Sequence, residues 1–171
     1  QLARFRGQFP QSRFAYQMHW MKANYPRSEA ELLQKAGKTQ EAQARRSEAA
    51  AQREAALAAI AALLARPSAE GGADAEGGAE LKASARANRM HLYYECGKFA
   101  EMLAEAQSRL ATVGQASSLS TSSQTAAQLE SERATLLVWQ GVAKACQKPR
   151  DLEGAKQSFD AAIAADTQIR S

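Results

Sequence analysis

Apolar residues in this chain recur at steps of three and four, and almost nowhere at steps of two. Phe14, Met18 and Met21 stand at i, i+4 and i+7, and Trp20 and Tyr25 widen their stripe. Leu57, Ile60, Leu63 and Leu64 repeat the pattern. So do Phe99, Met102, Leu103, Ala106 and Leu110, and again Leu152, Ala155, Phe159, Ala162 and Ile163. Such spacing gathers apolar side chains on one face of an α-helix. The expected fold class is all-α.

Turn residues divide the helices. Gln8-Phe-Pro-Gln-Ser12 reads as a turn, with Pro10 at a first helical position and Ser12 as a cap. The helix from Arg13 is expected to end at Asn24-Tyr-Pro26, because the residue before a proline is pushed out of the helical region. Ser28 to Glu31 fits a capping box for a short second helix, which Gly37 closes. Thr39 to Arg66 reads as one long Ala-rich helix, with Glu41 and Arg45 set for an i,i+4 pair. Its first half has nothing large to bury and is expected to project into solvent or to be an inserted extension. Pro67 ends it.

Residues 69–80 are a short tandem repeat, Ala-Glu-Gly-Gly-Ala-Asp followed by Ala-Glu-Gly-Gly-Ala-Glu, so residues 67–81 read as a flexible linker. Helix resumes from Leu81 to Glu95, turns at Cys96-Gly-Lys98, and returns from Phe99 to Val113, where Gly114 is placed to stop it. The Ser-rich residues 114–125 read as a second flexible low-complexity loop. A further helix runs from about Ala126 to Cys146 and is ended by Lys148-Pro149; Asp151 can cap the last one. Three regions result: N-terminal helices over 1–66, a linker over 67–81, and paired helices over 82–171.

Composition refines this picture. The hydrophobic fraction is 45%, but aromatics make only 6% and alanine dominates. A core of alanine lets helices approach closely yet buries little area per residue, so stability should be modest. The net charge of +4 is uneven: residues 1–66 hold 11 Lys/Arg against 5 Asp/Glu, while residues 114–171 balance at 6 and 6. A basic segment can meet nucleic acid or an acidic partner. Here the bases are scattered among Ala and Gln, which favours a solvated helix face. A chain that begins with Gln reads as a fragment or a processed region. No apolar run is long enough for a membrane span. Cys96 and Cys146 lack a CxxC partner and read as reduced thiols, which points to an intracellular, cytoplasmic setting.

Candidate chemistry is sparse. His19, His91, Cys96 and Cys146 are the only His and Cys residues, and no two of them have zinc-ligand spacing. Glu101 and Glu105, at i,i+4, suit a solvated face. Trp20, Trp139, Met18 and Met21 suit a core. No phosphate loop, dinucleotide fingerprint or nucleophile elbow is present. The expectation is a non-catalytic protein with no metal and no cofactor.

The segment Trp139–Ala162 resembles a tetratricopeptide repeat. That family sets large and small residues at fixed spacings in two antiparallel helices, and here those places hold Trp139, Val142, Ala143, Cys146, Ala155, Phe159 and Ala162. Arg150 stands where the turn glycine is usual, and Thr167 where a closing proline is usual. Arg86–Leu110 resembles a second, degenerate unit through Tyr93, Gly97 and Phe99, though Met102 and Ala106 have inverted sizes. Residues 5–36 share only the helix–turn–helix pattern.

The resemblance implies a short solenoid of stacked hairpins with two loops, and a partner groove near His91 and Tyr94 in one unit and Gln140, Lys144 and Gln147 in the next. The chaperone-tail clamp of some members is not implied, because Lys144 stands where they have Asn. The expected role is a protein-interaction scaffold or adaptor that binds other subunits or peptides within a larger complex. Phe9 to Arg13 is similar to the repeat subunit of the ER membrane insertion complex, and Leu92 to Leu110 to proteasome-lid-type subunits. The alternative is a pentatricopeptide-type RNA binder, which Ala145-Cys-Gln-Lys and Asp151 to Ala155 also suit. It is disfavoured by the neutral charge of 114–171, since such readers need a basic groove.

Overall fold

The computed structural model describes residues 15–66, 73–119 and 123–170; 92% of these are helical and none is strand. The helices are α1 (Ala15–Lys35), α2 (Thr39–Ala65), α3 (Ala73–Cys96), α4 (Phe99–Leu119), α5 (Ser123–Cys146) and α6 (Leu152–Arg170). The all-α class read from the periodicity is what the protein adopts. The chain divides into two compact units, and the division falls within α3, between Leu92 and Tyr93. The turn expected at 8–12, Phe14, Pro67, the first half of the Gly-rich repeat and residues 120–122 lie outside the described residues.

In the first unit α1 and α2 form an antiparallel hairpin. Its buried positions keep heptad spacing: Tyr16, Ala23 and Ala30 on α1, and Ala42, Ala49, Ala56 and Leu63 on α2. Such a repeat holds one seam facing the partner helix. His19 Nδ1 lies 3.0 Å from Gln52 Oε1, and Arg45 Nε lies 2.9 Å from Glu29 Oε2. These pairs set the register, with Ala23 level with Ala49 and Ala30 with Ala42. The Arg45 guanidinium is held above its ordinary pKa by its hydrogen bond to Glu48, with Glu29 adding to the effect. It therefore stays charged throughout the working pH range. Larger side chains, Ile60, Met90 and Leu92, fill the buried remainder of this unit. From α3, Asn88 Nδ2 donates to the buried Tyr16 hydroxyl at 3.3 Å, and His91 stacks on Trp20 with ring centroids 6.4 Å apart.

The second unit packs α4 on α5 and α5 on α6. Small residues again form the seam of α6: Ala155, Ser158, Ala162 and Ala165 are buried at i, i+3, i+7 and i+10. On α5, Leu136 and Ala143 are fully buried, and Gly141 faces the Phe159 ring. Arg109 on α4 pairs with Glu132 on α5 at 2.5 Å.

Two turns share one chemistry. Gly37 and Gly97 have φ of +75° and +69°, a conformation that side chains with a Cβ rarely adopt. Each closes its helix with a pair of backbone bonds, Gly37 N–H to Gln34 and Lys38 N–H to Leu33 in the first turn, Gly97 N–H to Tyr94 and Lys98 N–H to Tyr93 in the second. The third turn has no glycine. It contains a cis Lys148–Pro149 bond and ends where Asp151 Oδ1 accepts the Gly154 N–H at 2.8 Å, an N-cap on α6.

Several expectations are corrected. No break occurs at Asn24-Tyr-Pro26: α1 is continuous, with Pro26 buried inside it. A mid-helix proline costs about 3 kcal/mol, and here the packing of Tyr16, Ala23 and Ala30 on α2 outweighs it. The described part of the span 5–36, Ala15–Lys35, is accordingly one helix without a turn, and it pairs with α2. The first half of α2 does not project into solvent, since Ala42 and Ala49 are buried in the seam. Glu41 pairs with Lys38 at 3.3 Å rather than with Arg45. Met21 is exposed, not core.

Both low-complexity stretches also carry more helix than expected. α3 begins at Ala73, within the Gly-rich repeat, and α4 runs through Gly114 to Leu119. Gly114 stops nothing because its φ is not positive. Once the packed part of a helix has formed, adding a residue needs no new nucleus, so propagation carries through weak formers.

The two mid-helix glycines of the second unit should respond to the same change with opposite signs. A Cβ at Gly141 would lie 2.6–2.8 Å from three Phe159 ring carbons, whereas a Cβ at Gly114 meets nothing within 4 Å. Gly141→Ala is expected to destabilise by about 1–3 kcal/mol through overpacking. Gly114→Ala is expected to stabilise by about 0.5–1 kcal/mol through helix propensity. Urea unfolding of the two variants checks this; shifts of the same sign would contradict the close approach at Gly141.

Candidate functional site

The second unit contains an open cleft. The Gly97 turn brings the start of α4 beside the end of α5, and a cleft of about 400 Å³ opens between them. Gly97, Phe99, Ala100 and Glu101 line one side, and Cys146, Gln147 and Lys148 the other. Tyr94, half exposed at the end of α3, meets Phe99 edge to face with centroids 6.2 Å apart. The cleft therefore combines an aromatic wall, an amide at Gln147, a carboxylate at Glu101 and an ammonium at Lys148. Its volume falls within the range of about 300–1,000 Å³ typical of ligand pockets. Among the described residues, Glu101, Cys146 and Lys148 make no hydrogen bond or ion pair with another side chain.

The expected groove residues are not all at this cleft. Gln147 lines it, and Tyr94 adjoins it through its ring contact with Phe99. Gln140 and Lys144 lie against α6 and take part in a polar network inside the α5–α6 hairpin. Lys144 Nζ donates to the Gly154 carbonyl at 3.2 Å and to Ser158 Oγ at 3.3 Å. The buried Ser158 hydroxyl has a single proton to give, and both Gln140 Oε1 at 3.0 Å and the Gly154 carbonyl at 2.9 Å stand in reach of it. A lysine in this position bridges two helices, and its charge is held at the hairpin rather than presented to solvent. His91 belongs to the first unit, where it is exposed and stacked on Trp20.

Of the residues read as repeat packing, Ala143, Ala155 and Ala162 are buried, while Trp139, Val142, Cys146 and Phe159 are half-buried. Reasoning from the sequence missed Ser158, Gly141, Glu101 and Lys148. Ser158 was legible as the one polar member of the Ala155, Ala162, Ala165 stripe. Gly141 was legible as a glycine in mid-helix, which signals a close approach. Glu101 and Lys148 carried no signal, because only the meeting of two helix ends makes them neighbours.

Among the described residues no group of three or more His, Cys, Asp or Glu side chains is arranged to hold a metal ion. Nor is any helix among them long and apolar enough to cross a membrane. No protein-family model, curated protein or solved structure matches the chain. The role of the chain is therefore read from the chemistry of these residues.

Ser158→Ala removes the acceptor for Lys144 and the donor for Gln140 from a buried site, and is expected to destabilise by about 1–3 kcal/mol. Thermal unfolding measures the loss. A neutral substitution would mean that the Gln140–Lys144–Ser158 network contributes nothing to holding α6.

Proposed function

We propose that the chain is a non-catalytic protein-interaction scaffold built from tetratricopeptide-like helix hairpins, and that it works as a subunit of a larger multiprotein complex. Its second unit takes a peptide segment of a partner subunit in the cleft beside Tyr94, Phe99 and Gln147. The observation that carries this reading is the cleft itself, an open, mixed-polarity concavity with an aromatic wall at the end of two antiparallel helix pairs. Aromatic side chains anchor partner segments at low entropic cost, and an amide beside them can bond a peptide backbone.

The small-residue seam of α6 against α5 also supports the tetratricopeptide likeness, since that family packs small against large residues in its hairpins. Trp139, Val142, Ala143, Cys146, Ala155, Phe159 and Ala162 supply that pattern here.

A photo-crosslinking residue at position 94 tests the proposal in cells. The expected product is a crosslink to a partner polypeptide, from a particle several times heavier than the 18.4 kDa chain. Tyr94→Ala should weaken the association by about 10- to 30-fold, as truncation of an aromatic anchor does. Crosslinking to RNA, with binding that falls steeply between low and high salt, would instead establish the pentatricopeptide-type alternative.

A further inference from the structure

Helix α1 carries two apolar faces. One is the buried seam of Tyr16, Ala23, Pro26 and Ala30. Met21, Tyr25 and Leu32 stand on the opposite side of the helix, at i, i+4 and i+11, and are 72%, 73% and 67% exposed. At the helical rise they form a stripe about 17 Å long. The small, exposed Ser28 continues the row and leaves it unobstructed. A single exposed leucine needs no explanation, but three large apolar side chains in line on one helix mark an interaction surface.

The charges around the stripe define what fits it. Its carboxylates are already neutralised: Glu31 pairs with Arg27 at 3.7 Å, and Glu29 with Arg45 at 2.9 Å. Lys22 and Lys35 flank the two ends and, among the described residues, make no ion pair. The surrounding segment, residues 1–66, holds 11 Lys/Arg against 5 Asp/Glu. A second copy of this chain laid on the stripe would bring these positive segments together, which costs free energy across an interface. Apart from the one bond that Pro26 removes, the backbone of α1 bonds within the helix, so an extended strand would find no ladder to join. A row of side chains at helical spacing instead offers a ridge and groove to another helix.

We propose that this outer face of α1 docks an amphipathic helix of a partner protein. The apolar ridge of that helix lies along Met21, Tyr25 and Leu32, and its flanks carry carboxylates that meet Lys22 and Lys35. The surface lies in the first unit and is independent of the cleft in the second, so either can fail without the other.

The intact chain is titrated against a fluorescein-labelled designed peptide of about 18 residues, five helical turns. The peptide bears a leucine ridge flanked by glutamates, and a control peptide has lysines in their place. At low salt the glutamate peptide should bind at least about fivefold tighter than the lysine peptide, and the gap should narrow as salt screens the charges. Lys22→Glu with Lys35→Glu should reverse the preference. Combined Met21→Ser, Tyr25→Ser and Leu32→Ser should weaken binding by about tenfold or more, by removing the buried ridge contacts. These three residues face away from the α2 seam, so an unchanged circular dichroism spectrum and melting temperature would show that the fold is intact. Equal binding of both peptides, binding untouched by the triple substitution, or sedimentation showing that the stripe instead joins two copies of the chain would each overturn the proposal.

Discussion

Close approach of helices through small residues is the constraint on which both units depend. In the first unit the contact row is Ala23, Ala30, Ala42, Ala49 and Ala56; in the second it is Gly141, Ala143, Ala155, Ser158 and Ala162. Small side chains bring two backbones near each other and let dispersion contacts accumulate along the whole seam. Each contact buries little area, so length must compensate. This explains why α1 and α2 run for 21 and 27 residues when they carry so few large apolar side chains. It also explains how α1 tolerates Pro26: one lost backbone bond is weighed against a seam that extends on both sides of it.

A seam of alanines specifies its own register poorly, because one alanine resembles the next. Polar pairs supply what the apolar row lacks. His19 with Gln52 and Arg45 with Glu29 align α1 against α2. Gln140, Lys144 and Ser158 align α5 against α6, and the Gly141–Phe159 contact adds a steric lock. A partly buried polar group costs free energy if left unpaired, so a slip of one helical turn would be opposed by every such pair. Register discrimination in this protein is thus carried by a few polar side chains set among alanines, and surface ion pairs such as Arg27–Glu31 add little to it.

The same geometry leaves surfaces for other molecules. Helices joined by short turns present their ends side by side, and the Gly97 turn makes the cleft where Phe99 and Gln147 face each other. A narrow seam uses only one face of each helix, so α1 keeps Met21, Tyr25 and Leu32 outside. Such a design suits the scaffold role proposed above. The fold spends its large apolar residues sparingly inside, and some of the remainder are displayed where a partner can cover them.

Much of the architecture was legible in the residues alone. Period-3.6 spacing determined the all-α class, Gly37 and Gly97 determined two of the turns, and Asp151 determined the cap of α6, because each of these depends on local backbone geometry. The continuity of helix through Pro26 and Gly114 and the start of α3 at Ala73 were not legible. Proline and glycine bias the backbone by only a few kcal/mol, and tertiary packing and helix propagation can override that. The cleft and the Ser158 network were hidden for a different reason: their members come from different helices, and no local pattern records which helices will meet. The sequence by itself determined the all-α class and the apolar stripes along most of the helices. Only the tertiary structure decided which apolar face of each helix became the seam and which was left exposed, because that choice depends on how closely two whole helices can approach.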